Sequence, residues 1–251
     1  MDTLLTSVSG RGVATLTFNR PDRANSYNAE MLDALADGFE QFSRDRAVRV
    51  IVLRGSGKHF SAGAAIGEGG RPRRAIADVC ALIDATPKPT VAVAQGACIG
   101  GALALLSCCD VVVAGRDAFF AIPEVRLGFA PVPLIGVFVR AVGYRALRRY
   151  LLSGERFSAE EAHRLGLVHE LCDAPTIESV ADELIDALLL GAPGAATTAK
   201  QALQRQAPAA LSPAELRDLQ QAFEALAASD EATEGRAAFK DKRKPRWYPP
   251  R

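Results

Sequence analysis

The chain has 251 residues, 49% of them hydrophobic, enough to bury a sizeable core in one large domain or two small ones without disulfide or metal staples. Thirty Lys and Arg residues against twenty-nine Asp and Glu leave a formal net charge of +1, so no global field recruits nucleic acid or an anionic membrane, and an anionic ligand must be met locally. Five cysteines (Cys80, Cys98, Cys108, Cys109, Cys172) without a C-x-x-C pair read as reduced thiols of a cytoplasmic protein, and the opening MDTLLTSVSG has no apolar stretch long enough for a secretory signal.

In chain order, VATLTF (13–18) reads as a strand, followed by a helix from about Asn28 to Ser43. Met31, Leu32, Leu35, Phe39 and Phe42 fall on one face of that helix and Asp33, Asp37 and Glu40 largely on the other, with Asn28 as N-cap. VRVIVL (48–53), TVAVA (90–94), VVVAG (111–115) and AFFA (118–121) read as further strands, and the alternation predicts an α/β fold. The uncharged run 89–109 has the length of a membrane span, but Gln95-Gly96 and Gly100-Gly101 divide it into a strand and a short helix.

Beyond about Leu134 the pattern is helical almost throughout. Ser158 with Glu161 predicts a capping box, with Gly166 as the stop. Pro193 opens a helix, and Ser212-Pro213 opens another that carries Leu216, Leu219, Phe223 and Leu226 to about Ser229. The expected division is a core over 1–192 and a helical region over 193–251. The tail KDKRKPRWYPPR is a solvated end or an arm across a neighbouring subunit.

VRVIVLRGSGKHFSAGA and TVAVAQGACIGGALA echo each other, each running from an apolar strand through a turn into a small-residue segment that opens a helix. Gly63-Ala64 and Gly100-Gly101, almost without side chains, let a ligand approach the backbone closely. No G-x-G-x-x-G, G-x-x-x-x-G-K-[ST] or G-x-S-x-G occurs, which disfavours dinucleotide, P-loop and serine-hydrolase chemistry. His59, His163 and His169 lack metal-ligand spacing, so no metal is expected. Ser26 and Ser61 lie in no nucleophile-elbow motif, and Cys98 reads as a small core residue.

The segments HFSAGAAIGE (59–68), QGACIGGALALLSCCD (95–110) and AFFAIPEVRLGFAP (118–131) remain. With TFNRPDRANSYNAEM (17–31), RFSAEEAHRLGLVHE (156–170) and FKDKRKP (239–245), they resemble in order and spacing the crotonase, or enoyl-CoA hydratase/isomerase, superfamily over nearly the whole chain. The resemblance implies a crotonase-like spiral of strand–strand–helix turns with a helical C-terminal region, an acyl-CoA thioester as substrate, no separate cofactor, and a homotrimer or dimer of trimers. It also implies an oxyanion hole made by the backbone N–H groups of Ala64 and Gly101. Coenzyme A contacts are implied at Arg23, Ala24, Ser26, Ala62 and Ile66, and from a neighbouring subunit at Phe239 and Lys242 on the C-terminal helix. RPRR (71–74) is a second candidate for the phosphates.

Hydratases of the family carry one glutamate three positions after the second oxyanion-hole glycine and another in the P-E segment; here these positions are Ala104 and Glu124. A single carboxylate suffices to move a proton between two carbons, so the expected reaction is the shift of a 3-enoyl thioester to the 2-enoyl form with Glu124 as shuttle. The alternatives are a hydratase with a relocated second acid such as Glu68, an acyl-CoA decarboxylase or hydrolase, or a non-enzymatic acyl-CoA- or RNA-binding relative. Ala65 replaces a common aspartate, and Val132-Pro133 a glycine-rich stretch, which reshapes the acyl pocket.

Overall fold

The computed structural model describes residues 2–68, 70–206 and 213–248. The chain runs β1 (Leu4–Val8), β2 (Val13–Phe18), α1 (Ala29–Arg44), β3 (Val50–Gly55), α2 (Ile76–Ala85), β4 (Thr90–Ala94), β5 (Ala97–Ile99), α3 (Gly101–Ser107), β6 (Val111–Gly115) and β7 (Phe119–Ala121). It continues through α4 (Ile135–Val142), α5 (Tyr144–Ser153), β8 (Phe157–Ser158), α6 (Ala159–Arg164), β9 (Glu170–Cys172), α7 (Ile177–Leu190), α8 (Pro193–Gln206), α9 (Pro213–Ala227) and α10 (Asp230–Lys240).

Six strands form one sheet in the order β1-β2-β3-β4-β6-β9, parallel except for the β1–β2 hairpin; β5-β7-β8 form a second. β4 passes to β5, and β6 to β7, within a few residues, so each turn of the chain lays one strand in each sheet. This is the α/β spiral the sequence predicts. The parallel strands are apolar on both faces because both are covered. Ile51, Leu53, Ala92 and Val112 meet the core under α1, α2 and α3, whereas Val50, Val52, Val91, Val93 and Val113 meet Ala181 and Ile185 of α7. Met31, Leu35 and Phe39 of α1 are fully buried, and each large apolar side chain removed from water in this way contributes about 1.5–3 kcal/mol. The Asn28 side chain accepts from Met31 N at 3.0 Å and starts α1 as predicted.

Several boundaries differ from the sequence reading. β3 begins two residues later than predicted, because Arg49 N turns to Gly12 O instead of entering the ladder. The stretch after Leu134 includes β8 and β9, both short strands that complete sheet edges. Ser158 caps α6 through Glu161 N, but the Glu161 carboxylate accepts from Tyr150 Oη (2.8 Å) and Arg164 rather than closing a capping box. The run 89–109 is β4, β5 and α3, and no helix among the described residues is long and apolar enough to cross a membrane. α9 ends at Ala227, and its expected opening residue Ser212 lies outside the described residues.

Candidate active site

A turn over residues 19–28 builds one wall. Ala24 and Asn25 take left-handed conformations (φ 50° and 53°), which asparagine tolerates well. Asn25 is fully buried. Its Oδ1 accepts from Arg20 N at 2.8 Å, its Nδ2 donates to Ser56 O and His59 O at 2.8 and 2.7 Å, and its carbonyl accepts from Ser61 Oγ at 2.7 Å. The turn is thereby locked against residues 61–65: Ala62 N donates to Ala24 O, Tyr27 N to Gly63 O and Ala65 N to Tyr27 O at 2.8–2.9 Å. These bonds bring Ala24, Ser26, Ala62 and Ala64 together, with Arg23 and Ile66 exposed beside them.

The second wall joins through Ser61, whose N donates to Ala97 O (2.9 Å) and whose carbonyl accepts from Ile99 N (3.1 Å). Gly63-Ala64 thus lies beside the Gly100-Gly101 turn. At Gly63 (φ 89°) a Cβ would stand 2.8 Å from Ile99 O; at Gly100 (φ 58°) it would stand 2.6 Å from Glu124 Oε1, so both close approaches require glycine. Among the described residues, neither Ala64 N–H nor Gly101 N–H donates to another group. The two turns are not equivalent, however. Gly101 opens α3 directly, while the chain after Ala64 reaches α2 only at Ile76, so the predicted helix at the first echo is absent.

Glu124 begins a short 3-10 turn (Glu124–Leu127), behind Pro123. It is only 9% exposed, its Oε2 has no hydrogen-bond partner, and burial pushes its pKa up to about 7. A carboxylate poised there near neutrality can both take and return a proton. The turn is braced from behind by α10: a Cβ at Gly128 would overlap the backbone of Glu231 and Ala232, and one at Gly235 the backbone of Leu127. The distal helix therefore supports the loop that carries the carboxylate.

Other candidates are placed elsewhere. Glu68 is held by a two-point ion pair with Arg20 (2.7 and 2.8 Å), which lowers its pKa; Arg20 Nη1 also donates to Ser26 O. That pairing makes Glu68 a latch on the loop. The RPRR segment is a strap: Arg73 pairs with Asp33 and Asp37, Arg74 with Glu40, and Arg71 with Glu224, so its charges are met by protein carboxylates. Phe239 lies exposed on α10, and Lys242 is not on the helix but two residues beyond its end at φ 52°. Neither side chain bonds to residues 23–26 or 62–66 within this chain.

Burial raises the Cys98 thiol, and the Nδ1 atoms of His59 and His169 accept from Ala97 N and Val112 N. Ser26 Oγ donates to Arg23 O. Among the described residues no group of three or more His, Cys, Asp or Glu side chains is placed to hold a metal ion. Tyr27 is the site residue that sequence reasoning passed over. Its position after a buried Asn25 and before a helix cap resembles ordinary core, and only the tertiary contact of its hydroxyl with Gly101 sets it apart.

The family model described as Enoyl-CoA hydratase/isomerase matches residues 9–249. The 2,3-dehydroadipyl-CoA hydratase of Escherichia coli (strain K12) is 33% identical over 240 residues, covering 93% of this chain and 94% of that protein. Among solved structures, an enoyl-CoA hydratase from Mycobacterium avium superposes with a TM-score of 0.85 at 29% identity, covering 99% and 100% of the two chains. An enoyl-CoA hydratase/isomerase from Pseudoalteromonas atlantica T6c superposes with a TM-score of 0.84 at 28% identity, covering 98% and 100%. A family match over nearly the whole length, together with a crotonase-like fold, makes this chain an enzyme of the enoyl-CoA hydratase/isomerase family.

Proposed function

We propose that the enzyme acts on an acyl-CoA thioester and shifts a 3-enoyl double bond to the 2-enoyl position. The observation that supports this reading most is the buried carboxylate of Glu124, its Oε2 without a hydrogen-bond partner, against the Gly100-Gly101 turn. In this mechanism the Glu124 carboxylate removes a proton from C2, and the electron pair delocalises onto the thioester oxygen. The N–H groups of Ala64 and Gly101 hold that oxygen; such fixed donors in a water-poor site are worth about 10²–10³ in rate each. The Glu124 carboxylic acid then returns the proton to C4, leaving the double bond between C2 and C3. Nothing is gained or lost in mass.

Water addition in the two-carboxylate manner lacks its second group here. Position 104 is a fully buried alanine, and Glu68 is committed to Arg20. Arg23, Ala24, Ser26, Ala62 and Ile66 form the proposed coenzyme contacts, with Arg23 exposed and free to meet a phosphate apart from a long contact to Asp22 (3.9 Å). Phe239 and Lys242 belong, in this reading, to the site of a neighbouring copy in a trimer. The region 193–251 then serves as the assembly element, since α8 buries no residue fully and Leu203 and Phe239 are 72% and 64% exposed.

The test incubates the purified enzyme with a 3-enoyl-CoA and, separately, a 2-enoyl-CoA, following mass and ultraviolet absorbance, with Glu124→Gln alongside. Isomerisation without a mass change, lost in the variant, is the expected result. Gain of one water by the 2-enoyl substrate refutes the isomerase assignment. Sedimentation or light scattering on the same sample gives the subunit number.

A further inference from the structure

We infer that the hydroxyl of Tyr27 is a third hydrogen-bond donor of the oxyanion hole, acting on the acyl oxygen beside Ala64 and Gly101; this rests on the acyl-CoA reading above. Four observations carry it. The backbone of Tyr27 pairs with the first donor segment, bonding Gly63 O and Ala65 N and bridging Ala64. Its side chain crosses to the second, where a Cβ on Gly101 would overlap the hydroxyl and stand 3.1 Å from Cζ. The ring therefore spans the interval between the two donors. Tyr27 is also buried, yet its hydroxyl bonds to no described residue.

Direction follows from helix geometry. Both the N–H and the Cα–Cβ vector of a first-turn residue lean toward the helix N-terminus, so a group over the missing Cβ of Gly101 borders the space into which Gly101 N–H points. Ala104 lies one turn further along the same face, and a side chain there covers the turn before it. Its single methyl leaves room for the phenol; a longer side chain would compete with it. Glu124 Oε1 stands beside Gly100, the preceding residue of the same turn. Burial and the neighbouring carboxylate both hold the phenol protonated, so it is a donor throughout the working pH range and not a base. A neutral acid in an oxyanion hole donates without adding charge to the free site.

The test uses Tyr27→Phe, which keeps the ring and loses no bond within the protein. The melting temperature is expected to stay level or rise, whereas a structural role for the hydroxyl would lower it. Turnover of the 3-enoyl-CoA is expected to fall about 10- to 100-fold with KM little changed, the loss of one hydrogen bond to a charged oxygen. Acetoacetyl-CoA, whose enolate absorbs in the ultraviolet, reports the same donor without isomerisation. Bound to wild type it ionises at lower pH than in water, and bound to Tyr27→Phe its apparent pKa is expected to rise by about one unit for each tenfold loss. Unchanged turnover and unchanged enolate ionisation in Tyr27→Phe overturn the inference while leaving the isomerase reading intact. A Tyr27-dependent enolate shift without isomerisation supports the inference and refutes that reading. Failure of wild type to bind any CoA thioester removes both.

Discussion

A pKa near 7 for Glu124 couples catalysis to stability, and the coupling has a definite sign. The folded-state pKa (about 7) is above the unfolded one (4.5), so the native state binds more protons between these values and stability falls as pH rises through the window. The full span, about 2.5 units at 1.36 kcal/mol each, is about 3 kcal/mol; between pH 5.5 and 8 linkage gives about 2 kcal/mol. Glu124→Gln cannot ionise and lacks this term. Its melting temperature relative to wild type is therefore expected to climb by about 4–8 °C from pH 5.5 to 8. The wild-type rate should show an acidic limb with a midpoint near 7, falling tenfold per unit below it, because the base must be ionised. Differential scanning fluorimetry across pH, paired with initial rates, measures both. A temperature difference that stays flat with pH, or an acidic limb near 4.5, refutes the argument that burial alone holds this carboxylate.

Other perturbations test the rest of the site. Glu124→Gln at its pH optimum is expected to lower kcat by about 10²–10⁴, read in the same isomerisation assay. Gly101→Ala puts a methyl onto the Tyr27 hydroxyl and 3.3 Å from Ile76, so activity should fall at least tenfold; adding Tyr27→Phe should recover part of the lost melting temperature. Asn25→Ala strands the backbone groups of Arg20, Ser56 and His59, and urea unfolding should show a loss of about 2–4 kcal/mol. Arg20→Met releases Glu68 and Ser26 O together, so KM should rise and trypsin should cleave faster within 71–74, the opposite of what a solvated surface pair would give.

Much of this protein was legible before any fold was known, for local reasons. The amphipathic period of α1, the Asn28 cap and the β-branched runs of β4 and β6 are set by neighbours a few residues apart, and they form where the pattern places them. Gly63 and Gly100 announced close backbone approach because no other residue takes their conformations cheaply. Elements whose only justification is distant were not legible: the three-residue strands β5 and β9 exist because a partner strand awaits them.

The same division runs through the site. Sequence alone nominated Glu124 and noted the alanine at 104. It could not say that Arg71, Arg73 and Arg74 are spent on carboxylates of α1 and α9, or that Glu68 is latched by Arg20. A charge pattern is identical whether its partner is phosphate or protein, and only the packing of helices against the loop decides. Nor could it set Tyr27 beside Gly101, since the meeting of residues 27, 101 and 124 is a property of the closed spiral. The chain thus specified which chemical groups were on hand through local pattern, while long-range packing determined which of them stayed unpaired and faced one another.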